Sequence, residues 1–212
     1  GGKVFNTSGT ISYRGIRGNE ARVEGAGSVW SNSSAFVLGR TGTNHVLTIT
    51  DGGKVYGGDY SCLGPAGYSV ARIAGPGSEL LVNLLGANRR LYIGGGTGNE
   101  VEIESGGRVD CGACAMFYAT TSTQNMFRIS GPNSALDCTG LTVADKGFGN
   151  RLTVTNGGLV RTGNGTLGGA GAISNSVLVT GTASVWTNSG VLTVGSGSGA
   201  IGNALTIANG GA

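Results

Sequence analysis

Asn150-Arg151-Leu152-Thr153-Val154-Thr155-Asn156-Gly157-Gly158-Leu159-Val160 is the stretch from which the fold can be read. Apolar and polar residues alternate through Leu152-Thr153-Val154, the period of two expected of a strand with one buried face. A small polar residue and two glycines then turn the chain. The same arrangement recurs at Leu47-Thr48-Ile49 before Gly52-Gly53-Lys54-Val55, at Val101-Glu102-Ile103 before Gly106-Gly107-Arg108-Val109, and at Leu205-Thr206-Ile207 before Gly210-Gly211. The chain itself opens on Gly1-Gly2-Lys3-Val4. Its 212 residues therefore divide into repeat units 1–51, 52–105, 106–156 and 157–209, with a fifth begun at 210–212.

Each unit splits again, because a second strand ending in glycine recurs midway. These strands are Ala21-Arg22-Val23-Glu24-Gly25, Val70-Ala71-Arg72-Ile73-Ala74-Gly75, Phe127-Arg128-Ile129-Ser130-Gly131 and Val177-Leu178-Val179-Thr180-Gly181. The elementary period is thus about 25 residues, the length of one coil in a stacked parallel β-solenoid. The expected fold is all-β, a single solenoid over residues 1–212, with about eight coils in four repeats of about 51–54 residues. A repeat of this kind cannot close a core by itself and gains one by stacking on its neighbours. Eight coils at about 4.8 Å each make a rod roughly 40 Å long.

Two polar columns support the register. Asn19, His45, Ser69, Asn99, Asn125, Asn150, Asn175 and Asn203 each stand four residues before the last apolar position of a coil. Stacked amides at such a position hydrogen-bond along the stack, so Asn19, Asn99, Asn125, Asn150, Asn175 and Asn203 are expected to form an asparagine ladder, with His45 substituting for an amide. Asp51, Ser105, Asn156 and Asn209 precede the Gly-Gly pairs.

The string Asn150 to Val160, the later Asn175-Ser176-Val177-Leu178-Val179-Thr180-Gly181 with Ser184-Val185-Trp186-Thr187-Asn188-Ser189, and Leu192-Thr193-Val194-Gly195 together resemble the passenger-type β-helix repeats of bacterial autotransporters. The resemblance covers essentially the whole chain and is closest over residues 150–212. It implies a right-handed parallel β-helix outside the cell or on its surface, with adhesive or architectural roles and no catalysis.

Composition excludes several other classes. Glycine contributes 44 residues and proline only 3, which is not the composition of collagen or of a proline-rich linker. Charged residues are 12% of the chain, and the net charge of +3 is spread without a basic run, so nucleic acid is not an expected partner. No apolar stretch reaches the roughly 20 residues that span a bilayer as a helix.

Candidate chemistry is sparse. Glu100, Glu102 and Glu104 alternate onto one strand face, yet matching positions on other coils are mostly Asn or Thr, which points to a solvated face. His45 is the only histidine and has no companion acid or nucleophile nearby in sequence. Gly94-Gly95-Gly96-Thr97-Gly98 lacks the Gly-Lys-Ser/Thr of a phosphate loop and reads as a turn. No catalytic residue, metal site or cofactor is expected. Cys111 and Cys138 align on adjacent coils and are expected to form a disulfide; Cys62 and Cys114 are a second candidate pair, and free buried thiols are the alternative.

The expected function is that of a non-enzymatic extracellular fibre subunit or adhesin stalk. Its partner is another copy stacked head to tail, or further coils of a longer parent chain. Gly1, Gly2 and Val4 at one end, and Leu205, Ile207, Gly210 and Gly211 at the other, are the candidate contact residues. The alternative is a carbohydrate-binding or polysaccharide-cleaving solenoid that takes surface glycans on Tyr56, Tyr60, Tyr68, Tyr92 and Tyr118, which concentrate in the middle units.

Overall fold

A computed structural model describes residues 1–82 and 89–212. Among the described residues there is no helix, and the strands stack as eight coils. Coil 1 holds β1 (Lys3–Ile11) and β2 (Glu20–Glu24); coil 2 holds β3 (Val29–Leu38) and β4 (Val46–Thr50). Coil 3 holds β5 (Lys54–Tyr56), β6 (Tyr60–Leu63) and β7 (Val70–Ala74); coil 4 holds β8 (Glu79–Val82), β9 (Arg90–Ile93) and β10 (Glu100–Glu104). Coil 5 holds β11 (Arg108–Met116) and β12 (Met126–Ser130); coil 6 holds β13 (Ala135–Val143) and β14 (Arg151–Thr155). Coil 7 holds β15 (Leu159–Leu167) and β16 (Ser176–Thr180); coil 8 holds β17 (Val185–Asn188), β18 (Leu192–Val194) and β19 (Ala204–Ala208).

Every pairing is parallel and joins a strand to its counterpart on the next coil. The second half-strands build an 8-stranded sheet in the order β19-β16-β14-β12-β10-β7-β4-β2, and the first halves build an 11-stranded sheet. The larger sheet bends midway. Its register shifts between Asn6 and Ser8, skips Gly112 and Thr139, and breaks into separate strands on coils 3, 4 and 8. The bend gives each coil three sides around one core.

The alternation read from the sequence decides what lies inside. On the smaller sheet Leu47 and Ile49, Val101 and Ile103, Phe127 and Ile129, and Leu152 and Val154 stack as two continuous inward columns with exposures of 0–1%. Each such side chain touches its own kind one coil above and below, so removal from water accumulates along the rod.

The corners explain why the repeat is two coils long. Asp51-Gly52, Ser105-Gly106 and Asn156-Gly157 each place two successive residues at positive φ, between 52 and 88°, the primed-turn geometry that glycine at the second place permits. The glycine that follows is required for a different reason. A Cβ on Gly53, Gly107 or Gly158 would lie 2.1, 2.2 or 2.5 Å from the carbonyl oxygen of Val23, Ile73 or Ile129. Alternate coils turn through a Gly-x-x-Ser corner instead. There the hydroxyls of Ser78, Ser134 and Ser184 accept hydrogen bonds from the backbone N–H groups of Gly52, Gly106 and Gly157 at 3.1, 3.0 and 3.1 Å. A glycine corner and a serine corner thus form an interlocked pair.

Candidate functional surfaces

The polar column forms a buried ladder over most of the rod. Asn99, Asn125, Asn150, Asn175 and Asn203 are linked by Nδ2–H donation to the next Oδ1 at 2.8–3.0 Å, while each backbone N–H also donates to that oxygen. Ser69 donates its backbone N–H to Asn99 Oδ1 at 3.0 Å, but its hydroxyl has no partner and carries the ladder no further. Asn19 stands apart from the amide chain, since it joins only by donating its backbone N–H to His45 Nδ1 at 3.3 Å. His45 is wholly buried and keeps Nε2 unpartnered. From His45 to Asn175 the column is buried and supports the fold; Asn19 and Asn203, on the first and last coils, are partly exposed.

Glu100, Glu102 and Glu104 do share one outward face, but it is not simply solvated, since Glu102 is 8% exposed. Arg72 on coil 3 reaches Glu102 at 2.6 Å and Glu104 at 3.4 Å, and Arg128 stands in register with Glu102 on coil 5. Basic residues of the half-unit motif, Arg72 and Arg128, land directly beside the acids because both lie at the third position of their strands. Arg72 offsets Glu102 and Glu104, while Glu100 has no ion pair among the described residues and Arg128 donates instead to Ser130 Oγ at 3.5 Å. Among the described residues no group of three or more His, Cys, Asp or Glu side chains is arranged to hold a metal ion.

The cysteines require a correction. Cys111 and Cys138 are paired in direct register on β11 and β13, yet all four cysteines are free thiols and neither expected bridge is formed. Cys111 instead keeps its thiol beside those of Cys114 and Cys138, and the contact with Cys114 pushes it well above the ordinary range. Cys62 and Cys114 cannot meet. Cys62 alternates outward between the inward Ser61 and Leu63, whereas Cys114 points inward on a strand two coils away, so the sheet separates them.

Cys62 is nevertheless fully buried, because tyrosines cover it from outside. Tyr118 Oη lies 3.4 Å from Cys62 Sγ, and the rings of Tyr60, Tyr92 and Tyr118 form a continuous pile with centroid separations of 5.2 and 4.9 Å. The glycine run of coil 4 makes this possible, since a Cβ on Gly95 would sit 2.5 Å from Tyr118 Oη. Tyr56 and Tyr68 do not join the pile. Tyr56 faces outward from the other half of the bent sheet, and Tyr68 sits at the corner before β7. The spacing of tyrosines in sequence could not separate these groups, because the bend that divides the faces, between β5 and β6 on coil 3, leaves no mark on that spacing.

Beside the pile a groove of about 360 Å³ crosses coils 4 to 7 on the outer face of the larger sheet. Its floor consists of the small outward residues Ala113, Ala115, Gly140 and Thr142, and Arg90, Asp145 and Asn164 stand at its margins. Arg90 also donates to Tyr92 Oη at 3.4 Å.

No protein-family model matches this chain, and the curated proteins and solved structures yield no match either. The rod's remaining distinctive surfaces are its ends. On coil 1 Val4 is 56% exposed, and on coil 8 Leu192, Val194 and Ile207 are 40%, 47% and 57% exposed, each in register with an inward column. Strands β2 and β19 are the edges of the smaller sheet, each with one side unpaired. Of the candidate contact residues, Gly2 is already in the ladder, accepting from Val29 N–H at 2.9 Å; Ala212, just beyond Gly210 and Gly211, bonds to Ser184 and Trp186 at 2.9 and 2.8 Å.

Proposed function

We propose that this chain is a structural, non-enzymatic segment of an extracellular or cell-surface fibre or adhesin stalk, a role shared with the autotransporter passengers that its repeats resemble. The observation that carries this reading is the coil-on-coil stacking, in which parallel strands pair in register and apolar columns continue from one coil to the next. The outermost strands of any such stack keep unpaired edges and exposed column members, as Val4 and Ile207 do here. A further coil, from the same polypeptide or from another copy, would satisfy those edges and cover that surface. A contact between unlike ends does not close on itself, so between separate molecules it propagates into a filament.

Sedimentation velocity and electron microscopy of the purified chain test the assembly. The expected result is a concentration-dependent series of rods whose length rises in steps of roughly 40 Å. Ile207→Asp, which puts a charge on the coil 8 face at a residue already 57% exposed, should stop the series without changing the circular dichroism of the rod. A single short species at about 100 μM in both proteins would rule out end-to-end stacking, since even a weak transient interface associates at such concentrations.

A further inference from the structure

The groove beside the tyrosine pile has the form of a ligand site, and the fold does not require several of its features. Tyr60, Tyr92 and Tyr118 rise from three different coils to make one aromatic step, in which Tyr60 remains 45% exposed. Large apolar surface held outside a core usually marks a binding surface. The adjacent floor is unusually low. At the central floor position coil 6 has Gly140, whose φ is not positive and whose added Cβ would meet nothing nearer than Asn164 O at 4.0 Å. Glycine weakens a strand interior, and here neither backbone conformation nor close packing demands it. Its effect is to leave the trough open.

The margins are polar and carry both kinds of hydrogen-bonding group. Arg90 donates from one end, Asp145 accepts along the side, and neither has an ion-pair partner among the described residues. Asn164 directs Oδ1 to Val191 N–H at 2.9 Å, which fixes its amide at the far end of the groove. An aromatic step beside a flat floor, bordered by donors and acceptors, matches a pyranose ring. The C–H face of the sugar carries slight positive charge and stacks on an aromatic quadrupole, while its hydroxyl edge both donates and accepts. The trough crosses coils 4 to 7, three steps of about 4.8 Å, so it accommodates a run of several sugars and not a single ring.

We infer that the outer face of the larger sheet over coils 4 to 7 is a binding site for a linear oligosaccharide, which stacks on Tyr60 and Tyr92 and lies across the floor at Gly140. Tyr118 acts mainly as a positioning residue, since its hydroxyl is engaged with Cys62 and its ring supports Tyr92. The site lies on the side of the rod, so it operates whether or not the ends assemble, and its failure is distinguishable from failure of the stacking interface.

Isothermal titration calorimetry with soluble linear hexasaccharides based on glucose, xylose, N-acetylglucosamine and galacturonate tests the site directly, with an extended peptide of similar length as the control. At least one hexasaccharide should bind and the peptide should not. Tyr92→Ala should weaken binding by about tenfold or more, as loss of one stacked aromatic anchor does. Gly140→Gln should weaken it to a similar degree by filling the floor while leaving the melting temperature unchanged or higher, an effect that a purely structural glycine would not produce. Absence of binding across the panel overturns the inference. So does binding that both variants retain, or equal binding of the peptide.

Discussion

Ser69 and His45 interrupt the amide ladder at coils 2 and 3, and the consequences of that interruption can be measured. From Asn125 to Asn203 each side-chain oxygen accepts two hydrogen bonds from the preceding coil, whereas Asn99 Oδ1 accepts one, and the Ser69 hydroxyl and His45 Nε2 are buried without partners. Ser69→Asn should extend the ladder by one step, since the glycine at position 39 leaves the room that Gly64 leaves for Asn99. The expected gain is about 1 kcal/mol in urea unfolding, the net value of one buried hydrogen bond. Asn150→Ala should do the reverse and cost about 3 kcal/mol, because it orphans the Asn125 backbone N–H and takes one hydrogen bond each from the Asn125 amide, Ser122 O and Asn175 Oδ1. Equal, small effects of the two substitutions would show that the column is packing and not a hydrogen-bonded ladder. The column itself was legible because its residues keep a fixed distance from the last apolar position of each coil. The interruption was not, because a serine and a histidine satisfy the same polar pattern without the same reach.

Titration at the tyrosine pile supplies a second test at this scale. Burial pushes the Cys62 thiol up from 9 to about 11, and burial together with the Cys62 contact pushes the Tyr60 phenol up from 10 to about 12. Both shifts favour the neutral form in the folded chain, so the folded state holds these protons more tightly than the unfolded one. Their contribution is complete below about pH 9 and is lost as the pH rises towards 12. The melting temperature should therefore be insensitive to these groups from neutral pH to about pH 9 and fall above it. Cys62→Ala should flatten part of that alkaline fall. The same neutral thiol should resist alkylation at pH 8 in the folded protein, and all four cysteines should react once it is unfolded.

At the scale of elements, strands and corners were legible to different degrees. The strands of the smaller sheet follow from period-two patterning alone, and their register followed from aligning the Gly-Gly pairs. The bend of the larger sheet was hidden, because Arg108 to Met116 reads as one run although its two halves face different directions. That bend decides which tyrosines gather, so a surface read as five tyrosines contracts to three. The pairing of corners was hidden for a different reason. Ser78, Ser134 and Ser184 look like ordinary loop serines, and their partners lie a coil away in the other half of the repeat. Gly107→Ala tests how tightly the corners stack: φ at this residue is not positive, so backbone strain is not at issue, but the new methyl would sit 2.2 Å from Ile73 O. A loss of about 2 kcal/mol is expected from overpacking against a backbone that cannot retreat. A neutral substitution would mean that the coils slide apart more easily than the corner geometry implies.

For the molecule as a whole, the interlocked corners make a pair of coils the indivisible unit, and deletion of coils can establish this. In a solenoid each coil meets only its neighbours, so excising a complete unit leaves every remaining interface of a kind already present. Removing residues 52–105 joins Asp51 to Gly106 and restores a Gly-Gly corner, with Ser28 before it and Ser134 after it. The shortened protein should keep cooperative unfolding and a rod shorter by about 10 Å. Removing only residues 52–77 joins Asp51 to Ser78, so that the corner after the Ser28 corner keeps neither its Gly-Gly pair nor a complete Gly-x-x-Ser, and the Ser78 hydroxyl loses the Gly52 N–H that it normally accepts. Although fewer residues are lost, this protein should melt at the lower temperature, because a buried corner hydroxyl goes unsatisfied and the glycine contact is replaced by a side chain. The opposite order of melting temperatures would show that single coils are interchangeable and that the two-coil period records only the history of the sequence. The predicted order instead makes the fifty-residue repeat a physical unit, the smallest segment whose upper and lower surfaces match.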